Sequence, residues 1–518
     1  MKRLKPLHIA ILIALLAVAV RLAAGPVICD DAYITFRYAR NVVAGKGFVY
    51  NVGERVLGTS TPLYTMLMAL LGKVFRDAYP LLSVVVNALC DGATCLVLFA
   101  IGRRLGIMWA GLSAALLYAI LPDSAAWAVS GMETSLYVLL LTLAAYTLLR
   151  ERRDAGDKGA DTVPARVSTA ILAGILLMTR PDGLLMVVVL LSVFVWCTRR
   201  PPLRETLIAA AVVLPWTLFA TFYYGSPVPN SVAAKSAIIG HPGAFQATRE
   251  FAFFLGNMFV PCSNRVTRAL VPGLIPALQV TVLIVTATLF VVGVRHIISK
   301  NRAASVILVF PVVYTAVFCL VNPLMFPWYM VPVAPFVVFG VVAGLFAAAA
   351  KLAPRRNAAA FAAAVILLTL PTGLLSYRKL TTLSDVKEQR LRELAEMVRE
   401  DSGGEGLIAA PEVGAVGYFS DMRIMDTAGL VSAEALPFLA GNLLPIPPEL
   451  VSRYRPDYLI STDVFLEVGP EGKRVIDTEL FREEYVLLAE IPEELPKMKV
   501  KSFRAYRMVK PASGAEGL

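Results

Sequence analysis

The chain has 518 residues, of which 57% are hydrophobic and 17% are charged, and its formal net charge is +11. Soluble domains contain about 45–50% apolar and about 25% charged residues, so this composition excludes a purely soluble protein and indicates a polytopic membrane protein. The basic residues lie in short loops between apolar segments and not in one patch, which argues against nucleic-acid binding.

The apolar segments predict a bundle of membrane-spanning helices, because a helix needs about 20 apolar residues to cross the hydrocarbon core. The first segment follows Lys2, Arg3 and Lys5 and lacks a small-residue cleavage site, so we interpret it as a retained anchor. The segment 62–75 is shorter and amphipathic, and is expected to lie in the membrane interface. In all we predict about eleven spans, at residues 7–24, 79–101, 107–122, 132–150, 168–180, 182–198, 205–223, 274–294, 303–321, 328–349 and 357–375.

Basic residues mark every second loop of this bundle, whereas the loops at 122–131 and 322–327 contain no Lys or Arg. Cytoplasmic loops are the ones enriched in Lys and Arg. With an odd number of spans, the N-terminus is then cytoplasmic and the C-terminus lies outside. We therefore predict a multi-pass protein of the cell (plasma or inner) membrane whose Asp30-Asp31 pair faces the extracytoplasmic side.

The composition changes abruptly after about residue 376. A helix-like segment at 385–394 is followed by strand-like segments separated by turns rich in Gly, Pro and Asp. We therefore predict a transmembrane catalytic domain over residues 1–375 and an extracytoplasmic α/β domain over 376–518, which is long enough to hold its own core. The predicted strands are Leu407–Ala410, Arg423–Met425, Tyr458–Ser461, Tyr485–Ile491 and Ser502–Met508.

Asp30 and Asp31 follow directly on the first span and open a short helix. Asp30 as an N-cap and Asp31 in the positive end of the helix dipole would give the pair a structural role. On that helix, Tyr33, Arg37 and Arg40 recur at i, i+4 and i+7 and share one face, and we predict that Tyr33 contacts substrate. Two carboxylates beside two guanidinium groups at a membrane edge suit a reaction in which a hydroxyl loses a proton and a lipid phosphate leaves.

Further polar groups mark the predicted outer face, where ionisable residues are costly and therefore candidates for function. Glu133 opens a span and either caps that helix or contacts substrate. Arg180 lies in a Thr-Arg-Pro-Asp-Gly turn that explains its neighbours but not Arg180 itself. Trp328 and Tyr329 suit an interfacial aromatic belt or a platform for a sugar ring.

The last outer cluster lies at residues 223–235, where Pro and Gly fix the chain around Asn230. We predict that Asn230 contacts substrate. Lys235 is either a solvated loop lysine or a compact cation that holds phosphate.

These groups together predict a membrane-embedded transferase with an outward-facing active site. A leaving phosphate needs cations, which Arg37, Arg40, Arg180 and Lys235 supply, and the acceptor hydroxyl needs a base. The chain has neither a P-loop nor a Rossmann fingerprint, so a donor carried by the membrane lipid is expected instead of a nucleotide sugar. Such a phosphate does not require a metal, so we predict no cofactor, although adjacent carboxylates suit Mg²⁺ or Ca²⁺ and leave a divalent cation open.

The segment Asp30-Asp-Ala-Tyr-Ile-Thr-Phe-Arg-Tyr-Ala-Arg-Asn, followed by Gly45-Lys-Gly-Phe-Val-Tyr-Asn-Val-Gly-Glu-Arg, resembles the first outer loop of bacterial GT-C glycosyltransferases. It looks most like the mycobacterial-type terminal arabinofuranosyltransferases of arabinan and their relatives. Further segments look like that family too: Ser130-Gly-Met-Glu-Thr, Arg180-Pro-Asp-Gly, Tyr224-Gly-Ser-Pro-Val-Pro-Asn-Ser with Lys235, Gly414-Ala-Val-Gly-Tyr-Phe-Ser and Asp426-Thr-Ala-Gly-Leu.

The resemblance implies a GT-C fold that transfers a sugar with inversion from a polyprenyl-phosphate donor to a cell-envelope glycan or glycolipid. It also implies that an aspartate of the first outer loop is the base, which maps onto Asp30 or Asp31. The segment 58–62 departs from the family pattern, so the donor sugar stays open between arabinofuranose and another pentose or hexose.

Two other classes are alternatives. A transporter or flippase of lipid-linked precursors usually shows inverted repeats and charges at the bilayer midplane, whereas here the charges gather at one face and no repeat is visible. A non-catalytic scaffold that binds envelope polymer through its tail would leave the carboxylate–guanidinium cluster without a role.

Overall fold

The computed structural model of the protein describes residues 5–150, 163–238, 245–259, 275–323, 325–439, 446–467, 474–496 and 498–509. Its described helices, numbered in chain order, are α1 Pro6–Ala24, α2 Asp30–Val43, α3 Pro62–Phe75, α4 Tyr79–Arg104, α5 Met108–Ala119, α6 Pro122–Ala128, α7 Thr134–Arg150, α8 Val163–Thr179, α9 Gly183–Thr198, α10 Leu203–Tyr224, α11 Asn230–Ile238, α12 Gln246–Asn257, α13 Ile275–Lys300, α14 Val306–Val321, α15 Ala334–Leu352, α16 Asn357–Thr381, α17 Val386–Ser402, α18 Val413–Ser420, α19 Pro448–Tyr454, α20 Asp463–Glu467 and α21 Glu479–Glu484. The strands are β1 Leu407–Ala410, β2 Arg423–Asp426, β3 Tyr458–Thr462, β4 Tyr485–Leu495 and β5 Val500–Met508.

Two compact units interleave along the chain. The first, here called the membrane unit, consists of Met1–Val27, Leu81–Pro215 and Gly243–Leu383. The second, here called the loop–tail unit, consists of Ile28–Pro80, Trp216–Pro242 and Ser384–Leu518. The units thus differ from the linear division at residue 375, because two of the predicted outer loops pack with the tail.

Each predicted span corresponds to an apolar helix in the described chain. Seven of the described helical segments are long and apolar enough to cross a membrane: Pro6–Ala24, Tyr79–Arg104, Leu203–Tyr224, Ala277–Lys300, Arg302–Val321, Pro327–Leu352 and Asn357–Ser402. The other predicted spans form apolar helices of 10–17 residues, namely Met108–Ala119, Thr134–Arg150, Arg166–Thr179 and Gly183–Thr198. A 17-residue helix is about 26 Å long, a little less than the hydrocarbon thickness of about 30 Å.

A fully buried ion pair joins helices inside the membrane unit. The Arg21 Nε on α1 donates to the Asp91 Oδ2 on α4 over 2.8 Å, and both side chains are wholly inaccessible. The Tyr118 hydroxyl on α5 donates to the other Asp91 oxygen over 2.7 Å. Because the guanidinium also donates to the Ala17 and Ala119 carbonyls, both charges are hydrogen-bonded, as buried charges must be.

The tail forms a five-stranded sheet in the order β2-β1-β3-β5-β4. The three strands β2, β1 and β3 are parallel, and β5 runs antiparallel to β3 and β4. The central β3 is buried along its whole length, as expected for a strand covered on both faces. All five predicted strands and the predicted helix at 385–394 are confirmed, the helix extending over Val386–Ser402.

Candidate functional site

The helix α2 begins at Asp30, and the residue at its N-cap is Cys29. The expectation that Asp30 caps its own helix is therefore wrong. The Asp30 carboxylate instead accepts the backbone N–H groups of Gly414 and Ala415, over 2.9 and 2.8 Å. These are the second and third residues of α18, whose orphan N–H groups a capping side chain normally binds. Asp30 thus caps a helix of the tail.

The two arginines of α2 bind the opposite end of the same helix. Arg37 donates from Nη1 to the Gly417 carbonyl over 2.6 Å and from Nη2 to the Met422 carbonyl over 2.6 Å. Its Nε donates to the Tyr50 carbonyl over 2.9 Å. Arg40 donates to the Tyr418 carbonyl over 2.9 Å. We call α2 and α18, with these contacts, the helix clamp.

The charges of the helix clamp match the dipole of α18. A helix N-terminus attracts anions and a C-terminus attracts cations. Asp30 lies at the N-terminal end of α18, and Arg37 and Arg40 lie at its C-terminal end, so the two helices run parallel. The guanidinium group of Arg37 is buried and each of its nitrogens is hydrogen-bonded within the protein. The phosphate-binding roles of Arg37 and Arg40 stay predictions.

Close packing of the helix clamp depends on two glycines of α18. A Cβ at Gly414 would overlap the backbone carbonyl oxygen of Asp30. A Cβ at Gly417 would overlap the Tyr50 hydroxyl and the Arg37 guanidinium. The predicted shared face of α2 is therefore present in the structure, and it packs against α18 of the tail.

Tyr33 lies on that same face and also packs on the tail. Its ring centroid is 5.2 Å from those of both Tyr418 and Phe419. Its predicted contact with substrate stays a prediction.

Asp31 lacks the contacts that hold Asp30. Its side chain is half-buried. Within the described chain, no hydrogen bond or ion pair engages its carboxylate. One carboxylate of the Asp30-Asp31 pair is thus held by the protein, and the other keeps its oxygens available.

A lysine and two glutamates from the tail surround the start of the helix clamp. The Lys387 ammonium forms ion pairs with Glu412 and, over 3.5 Å, with Glu388. Burial, and then the negative charge of Glu412, raise the pKa of Asp30 to about 7, against the opposing charge of Lys387. Sequence reasoning missed Lys387, because the segment 385–394 showed only the pattern of a soluble helix, and it missed Glu412, which follows the predicted strand at 407–410.

Asn230 joins the second predicted outer loop to the tail. Its side-chain amide donates to the Gly429 carbonyl over 2.6 Å, and its backbone N–H donates to the Leu57 carbonyl over 2.7 Å. Lys235 lies half-buried on the same helix, α11. The substrate-binding role of Asn230 and the phosphate-binding role of Lys235 stay predictions.

The loop that Asn230 contacts is organised by a buried carboxylate. Asp426 accepts the N–H groups of Ala428 and Val431 over 2.8 and 2.9 Å. Burial raises the pKa of Asp426 to about 7, while the backbone N–H groups around it oppose that shift.

Because the folded state then binds a proton more tightly than the unfolded state, this group makes the protein more stable as pH falls from about 8 towards 5. We expect Asp426→Asn to flatten the dependence of the thermal unfolding midpoint on pH over that range. Glu396→Gln, which changes an exposed carboxylate, is the matched control and should keep the wild-type slope. An unchanged slope in Asp426→Asn would contradict the assignment.

Three of the predicted outer segments meet inside the membrane unit. Arg180 is buried between two carboxylates: its Nη1 lies 3.1 Å from Glu133 and its Nε lies 2.9 Å from Asp182. The Tyr314 hydroxyl donates to the second oxygen of Asp182 over 2.8 Å. We call Glu133, Arg180 and Asp182 the carboxylate–arginine triad. Its formal charge is negative, which does not favour binding of a phosphate next to Arg180. Phosphate binding by Arg180 and substrate contact by Glu133 stay predictions.

Aromatic side chains flank this triad. The Arg180 guanidinium carbon lies 5.5 Å from the ring centroid of Tyr329. Trp328 stacks on Phe326 at 4.5 Å and meets Trp127 edge-on at 5.0 Å. These side chains offer flat apolar faces beside hydrogen-bonding groups, a combination that is common in small-molecule sites and suits a sugar ring. Substrate contact by Trp328 and Tyr329 stays a prediction.

Among the described residues, no group of three or more His, Cys, Asp or Glu side chains is arranged to hold a metal ion.

Comparison with solved structures shows the fold. The chain has the GT-C glycosyltransferase fold, as predicted. It superposes on ArnT from Cupriavidus metallidurans bound to undecaprenyl phosphate with a TM-score of 0.60 at 12% identity, covering 96% of this chain and 97% of that one. It superposes on the oligosaccharyltransferase of Archaeoglobus fulgidus with a TM-score of 0.59 at 13% identity, covering 88% and 69% of the two chains.

Sequence similarity points to particular relatives within that class. The chain is 29% identical over 228 residues to the terminal β-(1→2)-arabinofuranosyltransferase of Mycobacterium tuberculosis, covering 40% of this chain and 35% of the relative. It is 27% identical over 239 residues to the protein of the same name from Corynebacterium glutamicum, covering 40% and 33%. The chain thus spans about a third of the length of these relatives. Residues 379–509 match a domain of unknown function, DUF8728.

Proposed function

We propose that this protein is an inverting glycosyltransferase that moves a sugar from a polyprenyl-phosphate donor to a hydroxyl of a cell-envelope glycan or glycolipid. The reaction takes place at the extracytoplasmic face, with the N-terminus in the cytoplasm and the tail outside. The GT-C fold and the names of the similar sequences support this class, and arabinofuranose is the first donor sugar to test. Asp31 is the base.

The observation that carries this assignment is the difference between the two adjacent aspartates. A general base needs an oxygen that can reach the acceptor hydroxyl. The oxygens of Asp30 bind Gly414 and Ala415 in a buried contact, whereas the half-buried Asp31 carboxylate has no such partner among the described residues. The sequence alone did not separate the two.

The proposed step conserves atoms and charge. The Asp31 carboxylate takes the proton of the acceptor hydroxyl as its oxygen forms a bond to the anomeric carbon of the donor sugar. The bond from that carbon to the phosphate oxygen breaks on the opposite side, and its electron pair leaves with the phosphate. The products are the glycosylated acceptor, polyprenyl phosphate and a protonated Asp31.

The experiment measures transfer by the full-length protein in nanodiscs from a short-chain polyprenyl-phosphoryl arabinofuranose to an arabinofuranose oligosaccharide. We expect Asp31→Asn to lower kcat by about 10³-fold or more, because the variant keeps the shape of the side chain but cannot accept the proton. Mass spectrometry of lipids that co-purify with the protein would identify another donor sugar.

The matched control is Asp30→Asn, which keeps an oxygen that can accept one of the two N–H groups of α18. We expect it to retain measurable transfer. Full transfer by Asp31→Asn together with loss of transfer by a folded Asp30→Asn would move the base to Asp30. Full transfer by both variants, or lipid flipping without any transfer by the wild type, would contradict the proposal.

A further inference from the structure

We propose that α18 of the tail is a positioning element of the active site, and that Gly414, Gly417 and Arg37 are positioning residues that hold α2 in the orientation from which Asp31 acts. This inference rests on the proposed function. It gives the tail, which matches a domain of unknown function, a role in the chemistry.

Three residues along the length of α2 hold it against α18. Asp30 binds the N-terminal N–H groups of α18, Arg37 binds its last turn, and Arg40 adds the Tyr418 carbonyl and, over 3.1 Å, the Asp421 carboxylate. Contacts at both ends of a helix fix its rotation as well as its distance. The direction of the Asp31 side chain, which projects from the first turn of α2, is therefore set by the tail.

At Gly414 the backbones of α18 and α2 pack directly against each other, which a larger residue would prevent, and Gly417 packs against the Tyr50 and Arg37 side chains. Gly414 and Gly417 lie three residues apart, so both face α2. Any side chain at Gly414 meets the backbone of Asp30, which has no rotamer with which to give way. The sequence of α18 is thus fitted to the first turn of α2 itself.

The N-terminal end of α18 is also held by α17. Glu412, at the N-cap of α18, binds Lys387 near the start of α17. The Glu412 side chain makes no capping bond to α18, and the capping role passes to Asp30. The N-terminus of α18 is therefore built to be completed by α2.

The Tyr50 side chain contacts both α18 and Arg37. Its hydroxyl donates to the Val413 carbonyl over 2.6 Å, and its ring lies 4.3 Å beneath the Arg37 guanidinium carbon. Residues of the predicted first outer loop thus contact α18 at its start and along its length. A tail that served only as a separate acceptor-binding module would not need these contacts with the loop that carries the aspartates.

The experiment compares the wild type with Gly414→Ala and Gly417→Ala in the full-length protein in nanodiscs. We expect kcat for arabinofuranose transfer to fall by about 100-fold, because a displacement of about 1 Å at a reacting group costs that much. The KM for the acceptor should stay within about twofold. Gly373→Ala is the matched control, because a Cβ there meets only an Ile120 methyl at 3.7 Å.

Hydrogen exchange separates positioning from a general loss of structure. We expect Gly414→Ala to raise the exchange of amides in 30–43 and 413–420 while those of β1 and β3 keep their protection. Three results overturn the proposal: wild-type kcat in both glycine variants, an unchanged kcat with a raised acceptor KM, or a parallel loss of protection throughout the tail.

The same measurements keep this inference distinct from the proposed function. If the wild type transfers and Asp31→Asn does not, but the glycine variants match the wild type, the positioning role alone fails. If the wild type transfers no sugar, the proposed function fails, and hydrogen exchange still reports whether α18 holds α2.

Discussion

Replacement of Arg21 by Met is expected to lower the free energy of unfolding by about 3–5 kcal/mol, because it leaves a buried charge without its partner. Asp91 is wholly inaccessible and its oxygens bind Arg21, Tyr118 and Ser124. In a predicted membrane span, the remaining carboxylate has no water with which to replace the guanidinium. Thermal unfolding in detergent micelles should show a lower midpoint.

Two further variants make this prediction specific. Arg103→Met removes an exposed arginine at the end of the same helix α4 and should change the free energy of unfolding by less than about 0.5 kcal/mol. Arg21→Met combined with Asp91→Asn should recover much of the lost stability, since the amide keeps a hydrogen bond with Tyr118 and no net charge is buried. If the double variant were no more stable than the single one, the loss would not come from the unpaired charge.

Replacement of Arg180 by Ala is expected to have an effect of similar size, about 3–5 kcal/mol, because two carboxylates share this one guanidinium. The Arg180 and Glu133 side chains are each only 6% exposed, and that of Asp182 is 13% exposed. Without Arg180 the two negative charges face each other in a site that water scarcely reaches. The thermal unfolding midpoint measures the loss.

The conservative variant tests the geometry of this triad. Arg180→Lys keeps the charge but replaces the planar fork with a single ammonium group, which cannot bind both carboxylates as Arg does. We expect an intermediate stability for Arg180→Lys and a value near wild type for Arg249→Ala, which removes an exposed arginine of the membrane unit. Equal stability of Arg180→Ala and wild type would show that the triad carries no stabilising interaction.

The sequence predicted the local structure well, and the reason is that local structure depends on local pattern. Each predicted span corresponds to an apolar helix, because the length and hydropathy of a helix are properties of consecutive residues. The five strands of the tail were found for the same reason. The shared face of Tyr33, Arg37 and Arg40 followed from helical periodicity alone.

The partners of those residues could not be predicted in the same way. Asp30 binds Gly414, which lies 384 residues further along the chain, and Arg37 binds Gly417, which lies 380 residues away. Periodicity shows which side chains share a face but not what covers that face. The sequence therefore indicated a carboxylate–guanidinium cluster suited to a phosphate. In the structure, Asp30, Arg37 and Arg40 of this cluster bind α18.

What the sequence determined by itself is the class of molecule: an apolar helical bundle with polar groups gathered on one predicted face, an aspartate pair in the first predicted outer loop and a small α/β tail. What only the tertiary structure decided is which aspartate of that pair binds α18 and the pairing of Arg180 with Glu133 and Asp182. Hydropathy and periodicity are set by neighbours in the chain. A charged group's role is set instead by the groups that surround it in space, and here the fold brings those from distant segments.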